Sequence, residues 1–259
     1  MPALGGNVAA AAIVIGYMRY QERKDRENLM RLFSQNVSPA IAESIWAHRD
    51  EFMKGHRPRP EKLFATVLFT DFHNFAATAE KLQPADAMNW VNEYLEALAG
   101  QVQRHGGVID KYMGDAIMAV FGFPLALTAG ANIHKDACDA VTCALDMGAE
   151  LRRLNDAWQT RGRSPVQVRI GICSGPAVAG CIGSSDRLEF TLIGDTVNTA
   201  ERLESFDKDY APADSCRILI EKSTLELLAG KFTAEFVQTI KLKGKEEITT
   251  IYRVLGRNT

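Results

Sequence analysis

The sequence predicts an α+β fold with a mostly antiparallel sheet, and three observations support this prediction. Short apolar runs typical of buried strands are separated by two long segments whose apolar residues recur every three or four positions. Two of the strand pairs are joined by short polar turns, which indicate hairpins. The 259 residues are 46% hydrophobic and 24% charged, the composition of a globular chain that can bury a large core.

The first predicted strand covers residues 65–70, a largely apolar run that ends at Asp71. The helix predicted after it has an apolar face whose members follow one another at spacings of 3, 4, 3 and 4. These members are Met88, Val91, Leu95, Leu98 and Val102. Gly106 and Gly107 end this helix.

A hairpin is predicted next, because the apolar runs 108–109 and 116–121 flank a polar turn at residues 110–115. A second helix follows, with Val141, Leu145, Gly148, Leu151 and Trp158 on one face. Further strands are predicted at 168–173, 177–182, 189–193, 217–220, 236–242 and 248–255, and further helices at 196–206 and 223–228. The core order is therefore βαββαβ, the ferredoxin-like arrangement, with an α/β extension after it and a helical N-terminal connector before it.

The N-terminal residues 1–20 form an apolar stub, in which the uncharged run 8–18 ends at a basic cluster that begins with Arg19. A stub of this length is at the lower limit for a membrane span. We expect it to be the end of a transmembrane helix from a longer parent protein, with the basic cluster on the cytoplasmic side. A signal peptide and a buried helix are the alternatives, although the residues before the run carry no positive charge.

Residues 21–62 are predicted to form a helical connector. Its apolar residues suggest two short amphipathic helices interrupted at Ser38-Pro39, and residues 56–60 look like an extended linker. Such a connector either packs on the main domain or joins it to an upstream membrane anchor or sensor domain. We place the main domain at residues 63–259.

The charge balance and the cysteines exclude several classes of function. With 30 Lys+Arg against 32 Asp+Glu the formal charge is −2, which argues against a nucleic-acid partner. Five cysteines without a CxxC pair suggest neither a zinc site nor a disulfide framework. A reducing compartment, and therefore a cytoplasmic location of the main domain, is expected.

Two aspartates are the first candidates for chemistry, since no GxxxxGK[ST], HExxH or GxSxG pattern occurs in the sequence. Asp71 ends the first strand, and Asp115 lies in the hairpin that pairs beside this strand in a βαββ unit. A pair of carboxylates suits Mg²⁺ or Mn²⁺, which accept hard oxygen ligands, as in two-metal nucleotidyl transfer. On spacing alone, it is equally possible that Asp71 caps a turn and that Asp115 fills a turn position after Gly114.

Asn198 and Arg202 form a second candidate group. They are spaced i, i+4 and therefore share one face of the predicted helix 196–206. An amide beside a guanidinium suits a sugar and a phosphate. Taken alone, an ordinary exposed polar face explains them better.

Three segments resemble class III nucleotidyl cyclases and, more narrowly, bacterial adenylate cyclase catalytic domains. They are residues 69–72 (FTDF), residues 110–122 (DKYMGDAIMAVFG) and residues 183–202, and the resemblance extends from about residue 63 to residue 254. It implies that Asp71 and Asp115 bind two Mg²⁺ or Mn²⁺ ions per active site. It also implies that Phe72 lends its backbone carbonyl to one of these metals.

The resemblance further implies a substrate-binding set that acts across a head-to-tail homodimer with active sites at the interface. Lys111 and Thr191 match the pair that recognises the purine, Asn198 orients the ribose, and Arg202 stabilises charge on the α-phosphate. Lys243 matches a basic residue that contacts the terminal phosphates. Asp71 and Asp115 come from the opposite subunit.

One segment departs from the family pattern, which usually has Gly-Phe-Thr after the first aspartate and its phenylalanine. Here His73, Asn74, Phe75 and Ala76 follow Phe72. Asn tolerates the backbone angles of a turn glycine, so Asn74 and Phe75 are assigned with Phe72 to the substrate-binding segment. Ala76 lacks a hydroxyl that would help to hold the phosphates.

The function that the resemblance implies is adenylate cyclase, a phosphorus–oxygen lyase of signal transduction. The ribose 3′-hydroxyl of ATP attacks the α-phosphorus, and 3′,5′-cyclic AMP and pyrophosphate are formed. Diguanylate cyclase is excluded because the hairpin lacks a Gly-Gly-Asp/Glu-Glu-Phe sequence. The alternative is a non-catalytic nucleotide-binding regulatory dimer. The parent protein is expected to attach to the inner membrane with its catalytic domain in the cytoplasm.

Overall fold

The computed structural model describes residues 14–21, 23–24, 27, 53–54, 57–58, 60–73, 75–80, 82–123, 132–183, 188–207, 215–241 and 248–258. The chain divides into two compact units. One contains Met1–Arg59 and Cys181–Phe190, and the other contains Pro60–Gly180 and Thr191–Thr259.

The main architectural feature is a sheet of eight described strands, and the order along it is β4-β5-β3-β6-β8-β10-β9, with β7 paired to β6. These strands are β3 (Glu61–Phe72), β4 (Val108–Met113), β5 (Ala116–Phe121), β6 (Val168–Gly183), β7 (Leu188–Ile193), β8 (Cys216–Glu221), β9 (Phe232–Ile240) and β10 (Thr249–Arg257). The described helices of this part are α1 (Phe75–Ala79), α2 (Pro84–Arg104), α3 (Ile133–Thr160), α4 (Asp195–Glu204) and α5 (Lys222–Leu227).

The strand pairings confirm the predicted fold class. Strands β6 and β8 pair in parallel, whereas β3 is antiparallel to both β5 and β6, and β10 is antiparallel to both β8 and β9. The order β3-α2-β4-β5-α3-β6 is the predicted βαββαβ core, with the short helix α1 inserted after β3. The elements from β7 onward form the predicted α/β extension.

The hydrophobic core lies between one face of the sheet and helices α2 and α3. Successive strand residues point to opposite faces, so Val168, Ile170 and Ile172 of β6 face this core together with Leu68 and Phe72 of β3. The second predicted helix carries the expected apolar face, since Val141, Gly148, Leu151 and Trp158 of α3 are buried.

The predicted apolar face of α2 is confirmed at Leu98 and Val102 but is wrong at Met88, so the buried side of the helix is rotated from the predicted one. Its buried residues are Trp90, Tyr94, Leu98, Ala99, Gln101 and Val102, whereas Met88 is 62% exposed. The aromatic rings explain the difference, because the Phe72 ring lies 4.9 Å from that of Trp90 and 5.1 Å from that of Tyr94. These edge-to-face contacts determine which side of the helix faces the sheet.

Helix α4 lies against the opposite face of the sheet and depends on two glycines of β6. A Cβ atom on Gly171 would lie 2.2 Å from the carbonyl oxygen of Ala200, and one on Gly175 would lie 2.7 Å from Oγ1 of Thr196. The backbone of α4 therefore approaches the strand more closely than any side chain would allow.

The prediction of two separate strands at 168–173 and 177–182 was wrong, because β6 runs unbroken through both. Ser174, Gly175 and Pro176 remain paired with β3, where Pro176 stands opposite Phe64. Gly175 admits α4, and the Thr196 hydroxyl donates to the Pro176 carbonyl at 2.7 Å. Helix α4 thus packs against this Gly-Pro pair, and the strand continues through it.

In the other unit, residues 14–21, 23–24 and 27 are helical. Exposed apolar side chains occur along this segment at Val14, Ile15, Tyr17, Met18 and Tyr20. Among the described residues, no helix has both the length and the apolar character needed to cross a membrane. The rest of the predicted stub and the predicted helices of the connector lie outside the described residues.

The linker predicted at 56–60 contains a short strand. Strand β2 (Arg57–Pro58) pairs antiparallel with β1 (Met53–Lys54), and the register joins Met53 to Pro58 and Lys54 to Arg57. An X-Pro pair favours the extended backbone that such a hairpin requires.

Candidate functional site

Asp71 and Asp115 converge at one end of the sheet, as the sequence predicts. Thr70 pairs with Ile117 across β3 and β5, so the next residue of β3 and the turn before β5 lie side by side. The turn begins with Gly114, whose positive φ of 69° suits the first central position of a type II′ hairpin. Burial raises the pKa of the Asp115 carboxyl, and the neighbouring Asp71 carboxylate raises it further.

Phe72, the last residue of β3, contributes to this corner in two ways. A backbone hydrogen bond from Phe72 lowers the pKa of Asp115 and so opposes part of the effect of burial. The ring of Phe72 is buried and packs edge-on to Phe75, with 5.7 Å between the ring centroids. Phe75 begins the short helix α1 and stacks on Trp90 at 6.4 Å.

The two neighbouring carboxylates are chemically suited to a divalent cation. Like charges held close together in a partly buried place favour the proton on one of them, and a cation removes that repulsion. No group of three or more His, Cys, Asp or Glu side chains suited to a metal occurs in the part of the chain that the structure describes. Two carboxylates and a backbone carbonyl leave coordination positions open for phosphate oxygens.

Arg169 of β6 was not predicted as part of this site. It is 5% exposed, and its guanidinium contacts a carboxylate oxygen of Asp71 and lies 3.0 Å from Oε1 of Glu204 on α4. The pairing of β3 and β6 places Asp71 directly opposite Arg169. The sequence carried one signal for it, since a charged side chain stands inside the otherwise apolar run VRIGIC.

Helix α4 presents Asn198 and Arg202 on the side away from the sheet, as the i, i+4 spacing predicts. Asn198 is exposed and Arg202 is half-buried, while Val197, Ala200 and Leu203 are buried. The Nη1 atom of Arg202 is buried and has no hydrogen-bond partner among the described residues. A buried guanidinium nitrogen without a partner is costly, and an anionic ligand such as a phosphate would satisfy it.

Lys111 and Thr191 meet at Asp110, a residue that the sequence analysis did not single out. The Thr191 hydroxyl donates to Oδ2 of Asp110 at 2.7 Å, and the Lys111 ammonium lies 3.5 Å from the same oxygen. Asp110 lies at a register irregularity in β4, where Ile109 pairs with Ala119 but Lys111 pairs with Met118. Such a bulge allows two consecutive side chains to reach one place.

Lys243 and Asn74 lie outside the described residues, so their predicted roles remain predictions. Among the described candidates, the structure brings Asp71, Phe72 and Asp115 together in one corner. It separately brings Lys111 and Thr191 together around Asp110.

The family model described as the adenylate and guanylate cyclase catalytic domain matches residues 60–255. The adenylate cyclase of Anabaena cylindrica is 34% identical over 196 residues, which are 73% of this chain and 36% of that protein. Adenylate cyclase 1 of Rhizobium meliloti is 32% identical over 191 residues, 74% of this chain and 27% of that protein. The chain therefore spans about a third or less of the length of these curated relatives.

Solved structures of an adenylyl cyclase and of a guanylyl cyclase both resemble this fold. The adenylyl cyclase CyaB from P. aeruginosa aligns with a TM-score of 0.70 and 30% identity, covering 77% of this chain and 97% of that one. The guanylyl cyclase Cya2 aligns with a TM-score of 0.68 and 31% identity, covering 76% and 94%. Overall similarity therefore does not distinguish an adenylate from a guanylate cyclase.

Proposed function

The chain belongs to the adenylate and guanylate cyclase catalytic domain family, and we propose that it is an adenylate cyclase that forms 3′,5′-cyclic AMP and pyrophosphate from ATP. The observation that carries this proposal is the meeting of Lys111 and Thr191 at one carboxylate. The two side chains proposed to recognise the base are thereby held close enough to contact the same purine ring.

The choice of adenine follows from hydrogen-bond chemistry. Adenine has an acceptor at N1 and a donor at N6, which match a Lys ammonium and a Thr hydroxyl oxygen. Guanine reverses both groups, so its N1–H would face the Lys111 ammonium. A site built for one hydrogen-bonding pattern rejects the reversed pattern strongly, because buried polar groups are left unpaired.

Asp71, Asp115 and the backbone carbonyl of Phe72 would hold Mg²⁺ or Mn²⁺, which we propose at two ions per site. When bound, these ions supply Lewis acidity at the 3′-hydroxyl and at the phosphates. Among the protein groups, Asn198 would orient the ribose, and Arg202 would donate to the α-phosphate as negative charge develops there. Lys243 would bind the terminal phosphates, and the segment with Phe72, Asn74 and Phe75 would line their site.

We propose a head-to-tail homodimer as the active form. Asp71 and Asp115 from one subunit would act together with Lys111, Thr191, Asn198 and Arg202 from the other. Two equivalent sites would then lie at the interface, related by the dimer axis.

The N-terminal segment supports a proposal about attachment. The apolar side chains of Val14, Ile15, Tyr17 and Met18 are more than half exposed, at 54–64%. We propose that the parent protein contacts the inner membrane through this segment and that the catalytic domain lies in the cytoplasm. We also propose a membrane anchor or sensor domain upstream of this segment in the parent protein.

Product analysis tests the proposed reaction. The purified chain is incubated with Mn²⁺ and either ATP or GTP at several protein concentrations. We expect cyclic AMP from ATP, with a specific activity that rises with protein concentration as dimers form. A folded dimer that binds ATP but forms no cyclic product would overturn the proposal in favour of a non-catalytic nucleotide-binding regulator. Cyclic GMP as the main product would overturn the choice of base alone.

A further inference from the structure

The carboxylate of Asp110 occupies an unusual place for a charged group. Asp110 is 7% exposed and lies at the bulge of β4, one residue before Lys111. Its Oδ2 atom accepts a hydrogen bond from the Thr191 hydroxyl at 2.7 Å, and the Lys111 ammonium is 3.5 Å from the same oxygen. One buried oxygen therefore contacts both side chains that are proposed to recognise the base.

The contact with Asp110 decides the direction of the Thr191 hydroxyl. A threonine hydroxyl has one proton to donate and two lone pairs to accept with, and an ionised carboxylate can only accept. Among the described residues, a second acceptor near this hydroxyl is the backbone carbonyl of Leu192, which is 3.5 Å away. The proton therefore points at Asp110, and the lone pairs of the hydroxyl oxygen are left for another donor.

We propose that Asp110 is a specificity-determining residue that makes Thr191 a hydrogen-bond acceptor toward the base and so selects the 6-amino group of adenine against the 6-oxo group of guanine. This inference rests on the proposed function and adds to it a residue that does not itself touch the nucleotide. Without Asp110, the Thr191 hydroxyl can rotate and donate to a 6-oxo group, so the pair of Lys111 and Thr191 alone does not determine the preference. Asp110 also stabilises the positive charge of Lys111 beside N1.

The wild-type chain already offers one test. Inosine triphosphate carries the N1–H and 6-oxo groups of guanine but lacks the 2-amino group. We expect kcat/KM for inosine triphosphate to lie within about tenfold of that for GTP and at least about a hundredfold below that for ATP. An enzyme that uses inosine triphosphate as well as ATP selects on the 2-amino group, and the proposal is then wrong.

The second test substitutes Asp110→Asn, because an amide can donate to the hydroxyl oxygen and turn its proton toward the base. We expect the ratio of kcat/KM for ATP to that for GTP to fall about tenfold, the effect of one hydrogen bond made or lost. In a Thr191→Val background, Asp110→Asn is expected to change this ratio less than about twofold, because Asp110 acts through the hydroxyl that valine lacks. Asp146→Asn, which removes a carboxylate paired with His105 at 2.8 Å, is the matched control and should leave the ratio unchanged.

The outcomes separate this inference from the proposed function. Cyclic AMP from the wild type, together with an unchanged ratio in Asp110→Asn, overturns the role of Asp110 and leaves the reaction standing. If the wild type forms no cyclic product, the preference for adenine is measured instead as the ratio of the Kd values of α,β-methylene GTP and α,β-methylene ATP. A fall of this ratio in Asp110→Asn then supports the inference without catalysis. Binding of neither analogue overturns both proposals. If Asp110→Asn does not fold, the comparison with inosine triphosphate decides.

Discussion

The Arg169 guanidinium contacts a carboxylate oxygen of Asp71, the residue directly opposite it in the pairing of β3 and β6. The same guanidinium is 3.0 Å from Oε1 of Glu204, whose side chain is also buried. Arg169 thus neutralises one buried carboxylate on α4 and fixes the orientation of a second one at the proposed metal site. Its removal should affect both folding and catalysis.

We expect Arg169→Ala to lower the free energy of unfolding by about 3–5 kcal/mol, because the buried carboxylate of Glu204 loses a charged partner. Cyclase activity measured on the folded fraction should fall as well, since Asp71 loses the group that orients it. Chemical denaturation and product analysis measure the two effects. The control is Arg153→Ala, which removes an exposed ion pair with Glu150 and should leave the free energy of unfolding almost unchanged. Equal effects of the two substitutions would contradict this account.

Mixing two inactive variants tests the shared active sites. In the proposed site, Asp71→Asn removes a metal ligand supplied by one subunit, and Arg202→Ala removes a phosphate contact supplied by the other. In a head-to-tail heterodimer one site carries both lesions and the other carries none. A 1:1 mixture should therefore recover about a quarter of the wild-type activity, since half of the dimers are mixed and each has one intact site. A mixture as inactive as its components would rule out sites built from two subunits.

Metal binding can be detected without turnover. We expect Mn²⁺ at ten times its Kd to raise the Tm of the wild type by about 3 °C, because a ligand that binds only the folded chain stabilises it. Asp115→Asn should abolish this shift, since one of the two converging carboxylates is lost. Asp146→Asn should keep it. A shift that persists in Asp115→Asn places the ion elsewhere.

The close approach of α4 to β6 predicts the effect of adding one methyl group. A Cβ atom in Gly171→Ala would lie 2.2 Å from the Ala200 carbonyl oxygen and 2.3 Å from the Glu204 nitrogen. We expect a loss of about 2 kcal/mol and a reduced kcat, because α4 must move together with Asn198 and Arg202. Gly100→Ala on α2 is the control, since its Cβ would meet only Arg104 at 3.8 Å and should stabilise the helix by about 1 kcal/mol. Full activity of Gly171→Ala would show that α4 need not lie so close.

The exposed apolar residues of the N-terminal segment predict an interaction with lipid. The chain should float with phospholipid vesicles in a density gradient, and Ile15→Asp should reduce the floating fraction because a carboxylate is costly in the bilayer. Phe236→Asp, which changes an equally exposed apolar residue in β9, should have no effect. Flotation that is identical in all three chains would contradict a role of this segment.

The corner formed by Asp71 and Asp115 could be predicted from the sequence, because a strand and the hairpin beside it have a regular geometry. Asp110 could not, since alternation along a strand places consecutive residues on opposite faces and a bulge leaves no reliable mark in the sequence. Arg169 stood out only as a charge in an apolar run, and its two partners are 98 and 35 residues away in the chain.

The unbroken strand β6 failed to be predicted for a related reason. The Gly175-Pro176 pair looks like a turn when only the neighbouring residues are considered. The structural role of this pair depends on α4, which follows about twenty residues later and packs onto the strand at this point. Local sequence preference was overruled by a contact between distant elements.

The position of Arg169 also bears on how the two active sites of the proposed dimer influence each other. Asp71 would serve one site, whereas α4, which carries Asn198 and Arg202, would serve the other. A single guanidinium touches both elements. A nucleotide that displaces α4 at one site would thus move Arg169 and, through it, Asp71, the proposed metal ligand of the other site. The two sites would then not turn over independently.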